Sequence, residues 1–190
     1  MDWGTLIATV SGGSIAITGT VLADHLRHRR EGGRELAERR RAVSVDYIGA
    51  AESCHARLRQ LAQETAEETG RTADELAAQA RAALADSGLG EARERLFIDA
   101  GATVAGAGQT MFQRLRALQA AVAAGAEPSS AAFHSVYHPY IGAVWAYRVA
   151  VRAESEGRSL TPETFGWSRW DGTDRCTLCP PPTSTPSPRS

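Results

Sequence analysis

The chain opens on twenty-one residues without a formal charge, Trp3 to Ala23. It then turns basic. Between 24 and 41, Arg27, Arg29, Arg30, Arg34, Arg39, Arg40 and Arg41 stand against Asp24, Glu31, Glu35 and Glu38, a local excess of +3. A helix over 3–23 would be roughly 31 Å long, close to the hydrocarbon thickness of a bilayer. Thr, Ser and Gly dilute the run and leave its mean hydropathy marginal for a span, so length and flanks decide the reading. Basic residues behind the run predict an N-terminus outside and residues 25–190 in the cytoplasm. A cleaved signal peptide would carry its basic residues ahead of the apolar run, where only Asp2 stands. A buried helix of a soluble core is the other alternative.

Gly4, Ala8, Gly12, Ala16 and Thr20 recur every four residues. Small residues at that spacing let membrane helices cross closely, which predicts pairing of two anchors into a homodimer. Ser and Thr hydroxyls bond back to helix carbonyls, which eases insertion of a polar-diluted run. The arginines at 27, 29, 30, 34, 39, 40 and 41 are expected to set topology and contact anionic lipid head groups, at about 1 kcal/mol each near an anionic leaflet.

Beyond this block the pattern is helical. Gly32-Gly33 is expected to interrupt or weaken the helix. Tyr47, Ala51, Cys54, Leu58, Leu61 and Thr65 then share one face, ending by Gly70. Thr72 with Glu75 makes a capping box for a short helix to about Asp86, with Leu76, Ala80, Ala83 and Leu84 on its thin apolar face. After the break at "DSGLG", Phe97, Gly101, Val104, Gly108, Met111, Leu115, Leu118 and Val122 keep a 4-3 spacing that predicts one long third helix. Its glycines imply close approach of a neighbouring helix. "GAEPSS" stops it and caps a fourth, with Phe133, Tyr137, Tyr140, Val144, Tyr147 and Val151 on one face and Pro139 as a kink. Few runs alternate with period two, so the fold class is all-α. The expected organisation is an anchor over 1–24, an Arg-rich juxtamembrane segment over 25–41, an antiparallel helical bundle over 42–157, and a disordered Pro/Ser/Thr-rich tail over 158–190. The 4-3 seams also suit a homo-oligomeric coiled coil, but short loops favour packing within one chain. Phe165, Trp167 and Trp170 in the tail are expected to dock on the bundle, the alternatives being contact with the membrane interface or a short partner-binding motif.

Composition narrows the functions. The net charge of −1 over 190 residues gives no global field for nucleic acid. Every basic residue is Arg and none is Lys, a usage that a GC-rich genome produces. Three cysteines provide no disulfide framework.

Candidate chemistry is sparse. "CTLC" places Cys176 and Cys179 at the spacing that fills two corners of a zinc tetrahedron. No second CxxC is present to complete it; Cys54, scattered histidines or a second chain are the remaining sources. A redox role fits less well, because Pro180, Pro181 and Pro182 follow at once and no βαβ context surrounds the pair. His134 and His138 are one helical turn apart, a spacing that can bind metal, but no HExxH is formed and the pair reads as polar helix positions beside the Pro139 kink. Cys54 and His55 are neighbours and point about 100° apart on a helix, unlike a nucleophile and its base. There is no P-loop, GxGxxG after a strand or GxSxG. "GATVAGAG" lies mid-helix and lacks a phosphate-loop Lys.

The opening "MDWGTLIATVSGGSIAITGTVLADHLRHRR" resembles the start of small membrane-anchored proteins common in high-GC actinobacteria. The resemblance covers residues 1–41. It implies a membrane location and carries over no activity or site residue. The expected function is therefore non-enzymatic: a single-pass protein of the inner (plasma) membrane that holds a cytosolic interaction domain, with a protein partner and no cofactor. The alternative is a metal- or thiol-dependent regulator built on Cys176 and Cys179, with zinc as the metal.

Overall fold

A computed structural model describes the backbone of residues 3–67 and 70–157, and side chains from Gly32 onward within those ranges except at 156. The chain divides into two compact units, residues 1–39 and residues 40–190. The described residues are helical, without strands: α1 (Trp3–Glu67), α2 (Ala73–Ala85), α3 (Leu89–Asp99), α4 (Ala102–Ala123) and α5 (Ala131–Glu156). The first unit holds the opening part of α1. That helix carries on through Gly32-Gly33 without a break, contrary to the expected interruption. Helix propensity costs about 1 kcal/mol for a glycine, too little to stop a helix whose neighbours are good formers. Among the described residues no helix is long and apolar enough to cross a membrane. The stretch 3–23, with Gly4, Ala8, Gly12, Ala16 and Thr20, lies outside the residues whose side chains are described, as do Arg27, Arg29 and Arg30.

In the second unit the helices form an antiparallel bundle. Contacts along α1 fix their directions. Going down α1, Arg57 meets Asp86 beside the end of α2, Asp46 meets Arg95 of α3, and Arg40 meets Asp99. α2 and α3 thus run antiparallel to α1, one after the other, as two halves of a single stave. Gly101 at the start of α4 meets Glu154 near the end of α5, so these two are antiparallel as well.

The faces predicted from the sequence are mostly those buried. α1 contributes Val43, Tyr47, Ala51, Cys54, Leu58, Leu61 and Ala62; α4 contributes Val104, Met111, Leu115, Leu118 and Val122; α5 contributes Phe133, Tyr140, Val144 and Tyr147. Gly108 is buried at the α4 crossing, where an added Cβ would stand 2.5 Å from Leu96 Cδ2. Both predicted caps form. The Thr72 hydroxyl accepts from the Glu75 N–H while the Glu75 carboxylate accepts from the Thr72 N–H, and Ser130 caps α5 through the Phe133 N–H. Pro139 lies inside α5, where its missing N–H withholds one bond from the turn before it.

The expected long third helix is two helices. Ala100 and Gly101 are extended, and Gly101 N–H donates to Glu154 Oε1 at 3.2 Å. The break resets the phase. Leu89, Ala92 and Leu96 face the core, while Phe97, placed in the seam by its spacing, is 37% exposed. Gly101 is the N-cap of α4 rather than a seam position, and its missing side chain makes room for the Glu154 carboxylate.

Candidate functional site

Three tyrosines tie α1 to the rest of the bundle. Tyr47 OH donates to the Gly108 carbonyl at 2.7 Å, Tyr147 OH to the Ser44 carbonyl at 3.0 Å, and Tyr140 OH to the Ala51 carbonyl at 3.5 Å. The Tyr47 and Tyr147 rings meet edge to face at 5.4 Å. Burial raises all three phenol pKa values above the ordinary value, because a phenolate in an apolar interior loses its hydration. These tyrosines are neutral hydrogen-bond donors at every physiological pH.

A polar seam runs along α1 and α5 beside them. Glu52 and His55 lie one turn apart on α1. The Glu52 carboxylate stands 3.4 Å from His55 Nδ1 through one oxygen and accepts from Arg148 of α5 at 3.3 Å through the other. The hydrogen bond to His55, aided by the imidazole and guanidinium charges, holds the Glu52 carboxyl below its ordinary range against partial burial. His55 is buried and packs between the rings of Tyr140 at 5.0 Å and Tyr137 at 5.7 Å. Tyr137 stacks in turn on Phe133 at 5.4 Å. Further along that face, His134 Nδ1 lies 3.3 Å from His138 Nε2.

Next to the seam, between α1 and α5, a groove of about 280 Å³ opens to solvent. Val45, Ile48 and Val151 line its apolar side, and Arg41, Arg148 and Arg152 surround it. Val45 is 58% exposed.

The residues singled out from the sequence scatter. Arg34 and Arg39 are exposed, and Arg41 borders the groove. Arg40 is committed to the bundle end, with Nε donating to the Asp99 carbonyl at 3.2 Å and Nη1 lying 3.4 Å from Glu154. Cys54 is buried, and burial pushes its thiol up to about 11 against the pull of Ser87 and Arg57. It is a packing residue on a different side of α1 from the Glu52–His55 pair. Cys176, Cys179 and the tail aromatics lie outside the described residues. Among the described residues no three His, Cys, Asp or Glu side chains gather as a metal set. Sequence reasoning missed the Glu52–Arg148 link and the groove, since nothing local joins positions 96 apart. No protein-family model, curated protein or solved structure matches this chain.

Proposed function

We propose that this chain is a non-enzymatic, single-pass membrane protein that tethers a helical interaction domain to the inner leaflet, with its N-terminus outside. In this reading residues 3–23 span the bilayer, and Gly4, Ala8, Gly12, Ala16 and Thr20 pair two copies. Arg27, Arg29, Arg30, Arg34, Arg39 and Arg41 fix topology and meet anionic head groups, while Arg40 closes the bundle end. The bundle then recruits a protein partner on the cytoplasmic side. One observation carries the reading: an uncharged run of membrane length followed at once by seven arginines. The groove beside Arg41, Arg148 and Arg152, with Val45 open to solvent, supports the recruiting role. An apolar floor with a basic rim suits an acidic segment that also carries an apolar side chain.

Fractionation of cells tests it, comparing the full chain with a version lacking residues 1–24. The expected result is full-length protein retained through salt and carbonate washes, a C-terminus protected from external protease, and a soluble truncation. Release of the full chain by either wash overturns the anchor. Gly12→Ile separates the pairing claim from the anchor claim: crosslinked dimer should fall while membrane retention stays.

A further inference from the structure

We propose that the groove between α1 and α5 receives α3 of a second copy of this chain. Arg41, Arg148 and Arg152 surround the groove, and among the described residues no acid lines it. Asp46 and Glu154, next in sequence to the lining residues Val45 and Ser155, are committed elsewhere. Asp46 stands 3.7 Å from Arg95, and Glu154 closes the bundle end on Arg40 and the Gly101 N–H. Even with Glu52 set against Arg148, the rim is net positive.

The floor asks for a helix. Its hydroxyls already donate to backbone carbonyls: Ser44 to Arg40 at 2.8 Å, Ser155 to Val151 at 2.6 Å and Tyr147 to Ser44 at 3.0 Å. Both walls are helices whose backbones bond within themselves, so an extended segment finds no ladder to join. A helix satisfies its own backbone and needs only apolar side chains for the floor and acids for the rim. Volume agrees. The groove measures about 280 Å³ and is open to solvent, whereas drug-sized ligands sit in enclosed pockets of about 300–1,000 Å³. A cavity of about 150 Å³ takes one benzene, so this groove takes about two apolar side chains.

The chain itself carries such a helix. Among the described residues of the second unit, the exposed large hydrophobic side chains are Val45, in the groove, and Phe97 and Ile98, both on α3. Ile98 is 79% exposed. Glu91 and Glu94 are exposed on its side of α3, one and two turns before it. Heights match as well. Arg95 meets Asp46 and Asp99 meets Arg40, while Tyr147 meets Ser44 and Glu154 meets Arg40. Ile98 therefore lies within the stretch of the bundle that the groove occupies, on the α3 side of α1 rather than the α5 side. Two bundles standing side by side with parallel axes bring Ile98 of one onto Val45 and Val151 of the other. Because α3 runs parallel to α5, Glu94 and Glu91 then follow the rim in the order Arg152, Arg148.

A groove-to-groove pair is disfavoured by its own charge, since a two-fold axis would set arginines against arginines. The contact is heterologous, so a third copy adds as the second did. Two helical turns make a small interface, which fills where copies are concentrated on one surface. The inference rests on the recruiting role proposed above for the groove and names its occupant.

The test uses the full chain in detergent, carrying Gly12→Ile so that the anchors do not pair, with mass followed by sedimentation equilibrium over a concentration series. This parent is expected to grow past a dimer. V45D and I98R, both at exposed positions, should each stay monomeric. Mixed, they should form a one-to-one heterodimer and stop there, because one intact groove and one intact α3 remain between them. If either variant fails to fold, charge decides: E94R should lose the association and E94R/R152E regain it. A parent that is monomeric at every concentration overturns the inference. So does V45D or I98R associating as the parent does, a mixture no larger than its parts, or a double charge variant no better than E94R. None of these results touches the anchor, which the salt and carbonate washes decide separately.

Discussion

At the scale of single residues, the bundle depends on side chains that are missing as much as on those present. Gly108 lets Leu96 and Tyr47 press against α4; an added Cβ would meet them at 2.5 and 3.3 Å. Alanine there gains about 1 kcal/mol of helix propensity. It must also push a fully buried leucine aside, an overpacking cost of about 1–3 kcal/mol. Gly108→Ala is therefore expected to lower the thermal midpoint, whereas Gly106→Ala, with nothing within 4 Å of the added Cβ, should raise it. A reversed order would show that the core yields at Leu96. Cys54 makes a second prediction. Its folded pKa is raised from 9.0 to about 11, so the neutral thiol's contribution to stability is complete below pH 9 and is lost as pH rises through 11. The three buried tyrosines add to the loss in the same direction. Thermal midpoints measured from pH 7 to 11 should be flat at first and fall steeply above 9. Over the flat range Cys54 should resist thiol reagents until the bundle unfolds.

At the scale of elements, most of the helical plan was legible because each face repeats locally. Thr72 and Glu75 announce the start of α2 by themselves, and the capping box forms. Thr72→Ala should cost about 1 kcal/mol, read as a shift in urea midpoint, with Thr72→Ser close to wild type. The Glu75 carboxyl is held below its ordinary range chiefly by the Thr72 N–H. Its share of the cap is therefore present above the ordinary carboxylate pKa and fades as pH falls through the lowered one. The split of the third helix was not legible. The spacing Phe97, Gly101, Val104 continues the seam on paper, yet Gly101 has no side chain to report which way it faces. What ends α3 there is Glu154, 53 residues away, claiming the Gly101 N–H. Register across the break follows from that distant carboxylate rather than from the local pattern.

At the scale of the whole molecule, the polar features divide the same way. The histidine pair was visible because one helical turn separates its members, and the structure sets the rings 3.3 Å apart. The groove was invisible, because Arg41 and Arg148 come from opposite ends of the described bundle sequence and meet only once α1 and α5 pack. The three tyrosine hydroxyls also have a mechanical meaning. Each bonds a carbonyl across the boundary between α1 and either α4 or α5, at residues 44, 47 and 51, on successive turns of α1. A force directed along the α1 axis must break these bonds and slide three rings out of their seats together, as in shearing a riveted lap joint. A force that peels α1 away from Glu154 meets them one at a time. Pulling with handles at Arg40 and Gly125, at opposite ends of the bundle, should therefore need a distinctly higher rupture force than pulling at Arg40 and Gly157, which share one end. The bundle would then bear steady traction along α1 while still opening readily from the edge that Arg40 and Glu154 close.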